Sequence, residues 1–459
     1  MEFVIRRSIQ QHEARHRSRM LSTPEYIIHR LPRARMENNT MAGLNSTNSE
    51  TSSHISMYTL LVPWQLVIVG AIIISVLIAM ITAPAKHFRA LVQPFVLRHV
   101  ESGVPVILAI QKYRHPWLDS FFGVIATVVS VPFYSLVLPL FFWHGQPKLG
   151  RQLTLLIATC VYVGNSAKDL VCAQRPPPPV CRVVSSESEA KGSEEYGLPS
   201  SHSINTICFA GYVLYYLTGQ QIELSTLLIT TALLTTLVTL VIFGRLYLGM
   251  HSPIDIAAGC AIGATLLLVW CNINEYLDGF VTGGKNVVIF WTTIAILGLH
   301  AYPTPESPTP SFEDHTAFSG VALGVVSGVH RTFMLFHSGV LSPASLTLAH
   351  IGMKTALGMA TAFTAKEGSK YLAKLSLPLI CYVPELLLGF RFHSSSYVKS
   401  MKKEIQDDLE APKLCGVLEP CYRIHGSVDV DTGIRFVQYA ALGWAVVELA
   451  PRIFFLLGL

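Results

Sequence analysis

Charged residues are scarce in this chain: Asp, Glu, Lys and Arg make up 14% of its 459 residues, against about 25% in an ordinary soluble domain. Hydrophobic residues account for 51% of the sequence, and long apolar stretches recur along most of its length. Such stretches predict membrane-crossing helices rather than soluble domains. The net charge is +5, and the basic residues are scattered or belong to short motifs, which argues against a nucleic-acid-binding protein.

Cysteine is also sparse, with nine residues and no zinc-type spacing. Most of these cysteines lie in or beside apolar segments, where a free thiol packs as a small hydrophobic side chain. Two pairs, Cys172 with Cys181 and Cys415 with Cys421, could form disulfides in an oxidising compartment, and their spacing leaves that open.

The N-terminal region lacks the apolar core of a signal peptide. Residues 1–56 are Arg-rich and then rich in Ser, Thr and Asn, a composition that predicts disorder. Arginine before the first span favours a cytoplasmic N-terminus by the positive-inside rule. A transit peptide, which is also Arg-rich and poor in acidic residues, is the alternative.

The apolar runs predict an all-α protein, a polytopic membrane bundle of about eight to ten spans. The candidate spans are 66–83, 118–143, 152–167, 203–219, 225–243, 254–273, 287–299, 375–392 and 436–457. Two Gly- and Ala-rich stretches, 316–341 and 346–363, are further candidates, each interrupted by a basic residue. We divide the chain into the leader 1–56, a core 57–285 that contains the motifs described below, and C-terminal membrane helices 286–459. The basic segment 86–115 is too polar to cross, and we expect its two prolines to break it and the segment to lie in the membrane interface.

Three polar clusters lie between the apolar segments of the core: Lys168 to Pro176, Pro199 to His202, and Gly244 to Asp255. If the N-terminus is cytoplasmic, the third span ends on the far side of the membrane. The fourth and fifth spans form a hairpin that returns to that side. Counting the crossings before each cluster therefore predicts that all three clusters meet at one membrane face. In the endomembrane system this is the lumenal face.

The first cluster contains two cations, Lys168 and Arg175, that are seven residues apart. A helix that continued as far as Pro176 would place both on one face. Two cations on one face can clamp a phosphate group, and arginine can grip two of its oxygens. The plainer interpretation of this pair alone is positive charge at a membrane boundary.

The second cluster precedes an apolar helix. Ser200 or Ser201 can cap that helix, whose first amides form a ready anion site. His202 beside them is a candidate general base or nucleophile, although a histidine at the end of a span is more often an interface residue.

In the third cluster, His251 and Asp255 are one helical turn apart, so the carboxylate could hold one imidazole nitrogen and fix the tautomer. Arg245 would add a third cation. Each cluster is weak evidence by itself, but all three on one membrane side predict a phosphate site.

These clusters resemble the motifs of the type 2 phosphatidic acid phosphatase and vanadium haloperoxidase superfamily: Lys-x6-Arg-Pro, Pro-Ser-Gly-His, and Ser-Arg-x5-His-x3-Asp. The matching residues are Lys168, Arg175, Pro176, Pro199, Ser200, His202, Arg245, His251 and Asp255. Ser201 stands where the motif has Gly, and Gly244 stands where it has Ser.

The resemblance implies catalysis through a phosphohistidine. His251 would be the nucleophile, oriented by Asp255, and His202 would protonate the leaving alkoxide and later activate water. The phosphoryl oxygens would be held by Lys168, Arg175, Ser200, Ser201 and Arg245. Because cations and amides supply the electrostatics, we expect no metal and no cofactor.

Within the superfamily, the segments 115–122, 196–206, 245–255 and 312–321 resemble those of sphingosine-1-phosphate phosphatases. This implies a multi-pass protein of the endoplasmic reticulum membrane that hydrolyses long-chain base 1-phosphates at the lumenal face. The lipid substrate would enter from the bilayer. The alternatives are a phosphatase for phosphatidate, lysophosphatidate or polyprenyl diphosphate, and a non-catalytic lipid-phosphate transporter or scaffold. The oligomeric state is left open.

Overall fold

The computed structural model describes residues 62–82, 84–128, 130–184, 190, 193, 195–307, 309–338, 348–388 and 430–459. The leader 1–56 and the pair Cys415 and Cys421 lie outside these residues. The described part of the chain is folded into α-helices and two short π-helical segments, without a β-strand. The predicted all-α architecture is confirmed.

The described helices are numbered in chain order. They are α1 (Pro63–Thr82), α2 (Pro84–Gln111), α3 (Pro116–Thr127), α4 (Val131–Trp143), α5 (Pro147–Val171), α6 (Ser201–Thr218), α7 (Leu224–Tyr247), α8 (Pro253–Gly283), α9 (Val287–His300), α10 (Ser311–Thr332), α11 (Leu348–Leu388), α12 (Val430–Trp444) and α13 (Ala450–Leu457). The π-helical segments are Phe333–His337, which extends α10, and Ala445–Leu449, which joins α12 to α13.

Among the described residues, four helical runs are long and apolar enough to cross a membrane: Leu224–Tyr247, Pro253–Gly283, Ser311–His337 and Val430–Leu457. The pair α3 and α4, bent by 50°, provides a fifth if it counts as one broken span. These are fewer than the expected number of spans. Part of the difference lies in α5, where Arg151, Gln152, Asn165 and Lys168 are buried against other helices. Such polar residues lower hydropathy without facing lipid.

Two expectations about breaks in the helices are wrong. Pro94 and Pro105 lie inside α2, which continues through both as a helix of 28 residues. The described residues of the expected spans 346–363 and 375–392 belong to one helix of 41 residues, α11. A proline removes one backbone donor, and a polar stretch removes none, so neither ends a helix by itself when the flanking residues remain hydrogen-bonded.

Helices α5 and α8 run antiparallel and define two ends of the bundle. Near the start of α5, Arg151 Nη2 donates to Asp278 Oδ2 of α8 at 2.8 Å. Lys168 lies near the other end of α5, and Asp255 lies in the first turn of α8. We call these the Arg151 end and the Lys168 end.

Helix α10 also connects these two ends. At its start, Asn165 Nδ2 of α5 donates to the carbonyl oxygen of Ser311 at 3.0 Å. Near its far end, His330 Nδ1 lies 3.0 Å from the carbonyl oxygen of Val281 in α8. The C-terminal helices share a hydrophobic core with α5, in which Leu153, Leu156, Val326 and Val447 are fully buried.

Helix α2 lies along the Lys168 end. Arg89 Nε donates to the carbonyl oxygen of Leu170 at 3.0 Å, and a Cβ at Gly103 would lie 2.6 Å from Pro253 Cδ. Further along, Gln111 Nε2 donates to the carbonyl oxygen of Tyr247 at 3.0 Å. A helix that contacts the ends of three others fits the interfacial position that its basic sequence predicts.

Candidate active site

The cations of the first cluster meet in a way that the spacing did not predict. Helix α5 ends at Val171, and Cys172 adopts a left-handed conformation with φ of 55°, so Arg175 lies outside the helix. Both cations nevertheless reach Glu195. Lys168 forms an ion pair with its carboxylate, and Arg175 Nε donates to its carbonyl oxygen at 3.0 Å. The expected common helix face is therefore wrong, but Lys168 and Arg175 are brought together by tertiary structure.

The second cluster forms the start of α6, as predicted. Ser200 is the N-cap: its Oγ accepts a hydrogen bond from the amide of Ser203 at 3.4 Å. The amide of Ser200 donates to the carbonyl oxygen of Asp255 at 3.0 Å, which ties this cluster to the third one. That amide is therefore already used, and Ser201 and His202 supply first-turn amides of the kind that bind anions.

The side chains of Ser201 and His202 lie on two sides of this helix start. Ser201 Oγ is 3.5 Å from Asn165 Oδ1 of α5. His202 Nε2 is 3.2 Å from the carbonyl oxygen of Ala126 in α3. A hydrogen bond to that oxygen requires the proton on Nε2, which leaves Nδ1 as the nitrogen with a lone pair.

The third cluster begins where α7 ends. Gly249 adopts a φ of +67°, a left-handed conformation that costs glycine little and allows a sharp turn after a helix. The carbonyl oxygen of Arg245 accepts from the amides of Met250 at 3.1 Å and His251 at 3.4 Å. The turn thereby places His251 beside the end of the helix that carries Arg245.

His251 is held by a different acceptor from the one expected. Its Nδ1 lies 3.0 Å from the carbonyl oxygen of Gly197, whereas Asp255 Oδ2 lies 3.8 Å from the same nitrogen, beyond hydrogen-bond distance. The Asp255 carboxylate instead accepts from the amide of Ser252 at 2.7 Å, as part of a capping box. Gly197 therefore fixes the tautomer, and Asp255 contributes its charge and orders the start of α8.

The other imidazole nitrogen faces a cation. With the Nδ1 proton donated to Gly197, Nε2 of His251 carries the lone pair, and Arg175 Nη1 lies 3.2 Å from it. Burial, followed by the charges of Arg175, Arg245 and Lys168, lowers the pKa of His251 well below its ordinary value. The histidine is thus a neutral nucleophile or base at physiological pH.

The cations around His251 also act on one another. Burial and the charge of Arg245 lower the pKa of Arg175 to about 10, so the guanidinium stays protonated at neutral pH. Lys168, Arg175 and Arg245 are each at most 5% exposed. Buried like charges beside a neutral imidazole form a site that favours a multiply charged anion.

All eight sequence-predicted site residues lie at the Lys168 end of the bundle. The charges of Lys168, Arg175, Arg245 and His202 all act on His251. No group of three or more His, Cys, Asp or Glu side chains that could hold a metal ion occurs in the described part of the chain.

Known proteins share this sequence over most of its length. The PAP2 superfamily model matches residues 150–278, the range that contains all three clusters. Lipid phosphate phosphatase delta of Arabidopsis thaliana is 44% identical over 407 residues, which cover 85% of this chain and 95% of that protein.

The chain belongs to the PAP2 superfamily.

More distant PAP2 relatives carry sphingoid names. A dihydrosphingosine 1-phosphate phosphatase of Schizosaccharomyces pombe is 27% identical and covers 80% of this chain and 90% of its own length. Sphingosine-1-phosphate phosphatase 1 of Mus musculus is 24% identical and covers 71% of this chain and 69% of its own length. No solved structure shows significant similarity to the chain. The protein is a multi-pass membrane hydrolase of the PAP2 lipid phosphatase type.

One departure from the PAP2 motif has a steric explanation. A Cβ at Gly244 would lie 2.9 Å from Phe122 Cδ1 of α3, which is closer than real Cβ contacts allow. The serine of the motif would therefore need Phe122 to move. Glycine at position 244 leaves the space that the Phe122 ring occupies.

Sequence reasoning missed two residues of the site, Glu195 and Gly197. Both belong to the polar stretch 175–199, in which the motifs place only Arg175, Pro176 and Pro199. Tyr196 between them is buried, and its hydroxyl lies 2.9 Å from Ser307 Oγ. Their position in the sequence could have indicated both residues. Gly197 lies within the segment 196–206 that resembles the sphingosine-1-phosphate phosphatases, and Glu195 immediately precedes it.

The Pro-rich loop before α10 also closes over the first cluster. Asp169 accepts hydrogen bonds from the hydroxyls of Tyr302 at 2.7 Å and Thr309 at 3.0 Å. Cys172 and Cys181 nearby are free thiols, so this pair is not a disulfide in the structure.

Proposed function

We propose that this enzyme hydrolyses long-chain sphingoid base 1-phosphates to the free base and phosphate through a phosphohistidine on His251. The observation that carries this proposal is the hydrogen bond from Nδ1 of His251 to Gly197. It leaves the Nε2 lone pair directed at the cationic group of Arg175. A phosphoryl group bound by that arginine would meet a neutral nitrogen nucleophile.

The reaction then runs in two displacements at phosphorus. In the first, Nε2 of His251 forms a bond to phosphorus as the ester P–O bond breaks. His202, which takes up a proton on Nδ1 when the anionic phosphate binds, gives that proton to the leaving alkoxide. In the second, water attacks phosphorus while His202 takes a proton from it, and the P–N bond breaks. Phosphate leaves, and both histidines return to their starting states.

The charge that develops on the phosphoryl oxygens is stabilised by the residues already gathered around His251. Lys168, Arg175 and Arg245 supply cations, and the amides of Ser201 and His202 supply neutral donors. Ser200 contributes by capping α6 and linking it to Asp255. Because these groups provide the positive charge that a metal ion gives other phosphatases, we expect hydrolysis to be independent of divalent metal.

The sphingoid substrate is supported by the names of the relatives and by the position of the site. Three phosphatases of sphingoid base phosphates, from Schizosaccharomyces pombe, Saccharomyces cerevisiae and Mus musculus, match 71% or more of this chain. A site at the ends of membrane helices lets an acyl or alkyl tail stay in the bilayer while the head group enters. The alternative substrates, phosphatidate, lysophosphatidate and polyprenyl diphosphate, share that geometry.

We also propose that the active site faces the lumen of the endoplasmic reticulum. The chain enters α1 at the Arg151 end, where Gln65 Nε2 donates to the carbonyl oxygen of Lys285 at 2.9 Å. The site is at the other end. An Arg-rich segment before α1 favours the cytoplasm, which puts the Lys168 end on the lumenal side. A tag that is modified only in the lumen, inserted in the polar stretch 185–194, would test this orientation.

The function is tested by phosphate release in membranes that contain the expressed protein and EDTA. We expect faster release from sphinganine 1-phosphate than from phosphatidate, and resistance to EDTA. We expect His251→Ala to lose activity by about 1,000-fold or more, since it removes the nucleophile, together with the acid-labile phosphoenzyme. His330→Ala at the Arg151 end is the matched control and should stay within about twofold of wild type.

Three results would overturn parts of the proposal. Preference for phosphatidate would reject the substrate, and inhibition by EDTA would reject metal independence. Unchanged activity in His251→Ala would reject the nucleophile. Binding of sphinganine 1-phosphate without turnover would instead favour a transporter or scaffold.

A further inference from the structure

The ion pair between Lys168 and Glu195 is unexpected in a site that binds an anion. The two side chains are only 2% and 11% exposed, so the carboxylate is held close to a cation that the proposed mechanism needs for phosphate. A carboxylate in that position repels the phosphoryl oxygens. For a substrate whose only charge is its phosphate, Glu195 weakens binding.

The backbone at Glu195 is anchored to the rest of the site. Its carbonyl oxygen accepts from Arg175 Nε at 3.0 Å, and two residues later the amide of Gly197 donates to the carbonyl oxygen of Ala173 at 2.8 Å. The carbonyl oxygen of Gly197 in turn accepts from Nδ1 of His251 at 3.0 Å. Removing this segment would release the hydrogen bond that fixes the nucleophile. The backbone at Glu195 therefore stays beside the nucleophile, which keeps its carboxylate within reach of the site.

Other groups hold the surroundings of Glu195 in place. Tyr196, the next residue, is anchored by its hydroxyl to both the side chain and the amide of Ser307, at 2.9 and 3.1 Å. The carboxylate of Asp314, in the first turn of α10, is close enough to interact with the charges of Glu195, Lys168 and Arg435. The ion-pair partner of Glu195 itself is Lys168.

Substrate binding would change this balance. When phosphoryl oxygens take Lys168 as a partner, Glu195 loses its ion-pair partner while it remains enclosed. The charge of Arg175, which also acts on Glu195, is then shared with the phosphate, and an enclosed carboxylate with too little positive charge around it is unfavourable. A cation next to the phosphate would restore the balance. A sphingoid base 1-phosphate has an ammonium group on the carbon adjacent to the phosphate-bearing carbon, whereas phosphatidate, lysophosphatidate and polyprenyl diphosphates have no cation there.

We propose that Glu195 recognises the ammonium group of the substrate and thereby selects sphingoid base phosphates over lipid phosphates without an amine. This inference rests on the proposed function and names the residue that determines its specificity. On binding, Lys168 passes from the Glu195 carboxylate to the phosphoryl oxygens, and the substrate ammonium takes its place. Glu195 makes no covalent change during the reaction.

The test compares two substrates that differ only in the amine: sphinganine 1-phosphate and octadecane-1,3-diol 1-phosphate, in which hydrogen replaces the amino group. In wild type we expect kcat/KM to be about tenfold or more higher for the amine, equivalent to one charge-assisted hydrogen bond. In Glu195→Gln this ratio should fall to within about twofold, because the amine loses its partner and the other substrate loses a repulsion. Glu195→Asp, which keeps the charge, should recover part of the ratio.

The matched control is Glu313→Gln. The Glu313 carboxylate is also near the start of α10 but pairs with Arg435 at 2.6 Å and is 56% exposed, so its loss should leave the ratio at the wild-type value. The wild-type comparison stands even if Glu195→Gln does not fold, because equal kcat/KM for the two substrates would by itself overturn the proposal.

The remaining outcomes separate the two proposals. A Glu195→Gln enzyme that keeps the wild-type ratio, or that gains equally on both substrates, would show that Glu195 does not recognise the amine. If wild type prefers phosphatidate to sphinganine 1-phosphate, the proposed substrate fails first. If wild type prefers sphinganine 1-phosphate and Glu195→Gln leaves the ratio unchanged, only the inference about Glu195 fails.

Discussion

The two ends of the bundle use buried charge in opposite ways. At the Arg151 end, the Glu448 carboxylate is 1% exposed and receives hydrogen bonds from Arg331 Nε at 3.0 Å, Arg452 Nη2 at 2.9 Å and Trp444 Nε1 at 2.7 Å. At the Lys168 end, the charge of Arg245 lowers the pKa of Arg175. The first arrangement gathers donors around one carboxylate, whereas the second gathers cations around a neutral imidazole, which suits an anionic ligand.

The same contrast appears along a single helix. Near its start, α5 carries Arg151, whose Nε and Nη2 both donate to the Asp278 carboxylate. About 25 Å along the axis, at a rise of 1.5 Å per residue, the same helix carries Lys168, whose partner Glu195 comes from a loop beside the proposed nucleophile. Buried ion pairs add little stability when complete but cost much when broken. We therefore interpret the Arg151–Asp278 pair as structural. The Lys168–Glu195 pair, which lies beside the proposed nucleophile, can exchange a partner for a ligand.

The largest effect that would test this contrast is expected for arginine-to-lysine substitutions at the two ends. Arg175→Lys keeps the charge but loses the planar donors that reach both Glu195 and His251, so kcat/KM should fall by about 100-fold. Arg151→Lys should keep activity per folded molecule within about twofold and lower the unfolding temperature in detergent. Steady-state kinetics and thermal unfolding of both variants would measure this. Equal losses of activity would abolish the distinction between the ends.

An intermediate effect is expected for Glu448→Gln. The substitution removes the charge that faces Arg331 and Arg452, whose side chains are 61% and 49% exposed and can be solvated in part. The cost should be about 1–2 kcal/mol of unfolding free energy, seen as a lower unfolding temperature, with kcat unchanged for the folded fraction. A loss of kcat without a loss of stability would show that Glu448 takes part in catalysis. That result would contradict a purely structural role for the charges at the Arg151 end.

The smallest effect is expected at the edge of the proposed site. Gly244→Ser restores the residue of the family motif but brings a Cβ within 2.9 Å of Phe122. Because the Phe122 ring can shift, the substitution should destabilise the protein by only about 1 kcal/mol and leave kcat within about twofold of wild type. The double variant Gly244→Ser, Phe122→Leu should recover part of the stability. No recovery would show that Phe122 is not the reason for glycine at this position.

Much of the proposed site could be predicted because its residues lie at helix ends. The serine cap before α6 follows from a local signal, and the meeting of the three clusters follows from the alternation of spans. The helical extension from Lys168 to Arg175 was wrong because Cys172 turns the chain out of the helix. Spacing indicates which residues would share a face if a helix continued, but not whether it does.

The sequence by itself determined the helical membrane class, the three motifs and the side of the bundle on which they lie, because periodicity and hydropathy act over a few neighbouring residues. Only the tertiary structure decided that Gly197 rather than Asp255 binds Nδ1 of His251, and that Glu195 pairs with Lys168. These partners are separated by 54 and 27 positions. Contacts across such distances depend on how loops pack against helix ends, and no local pattern records that packing.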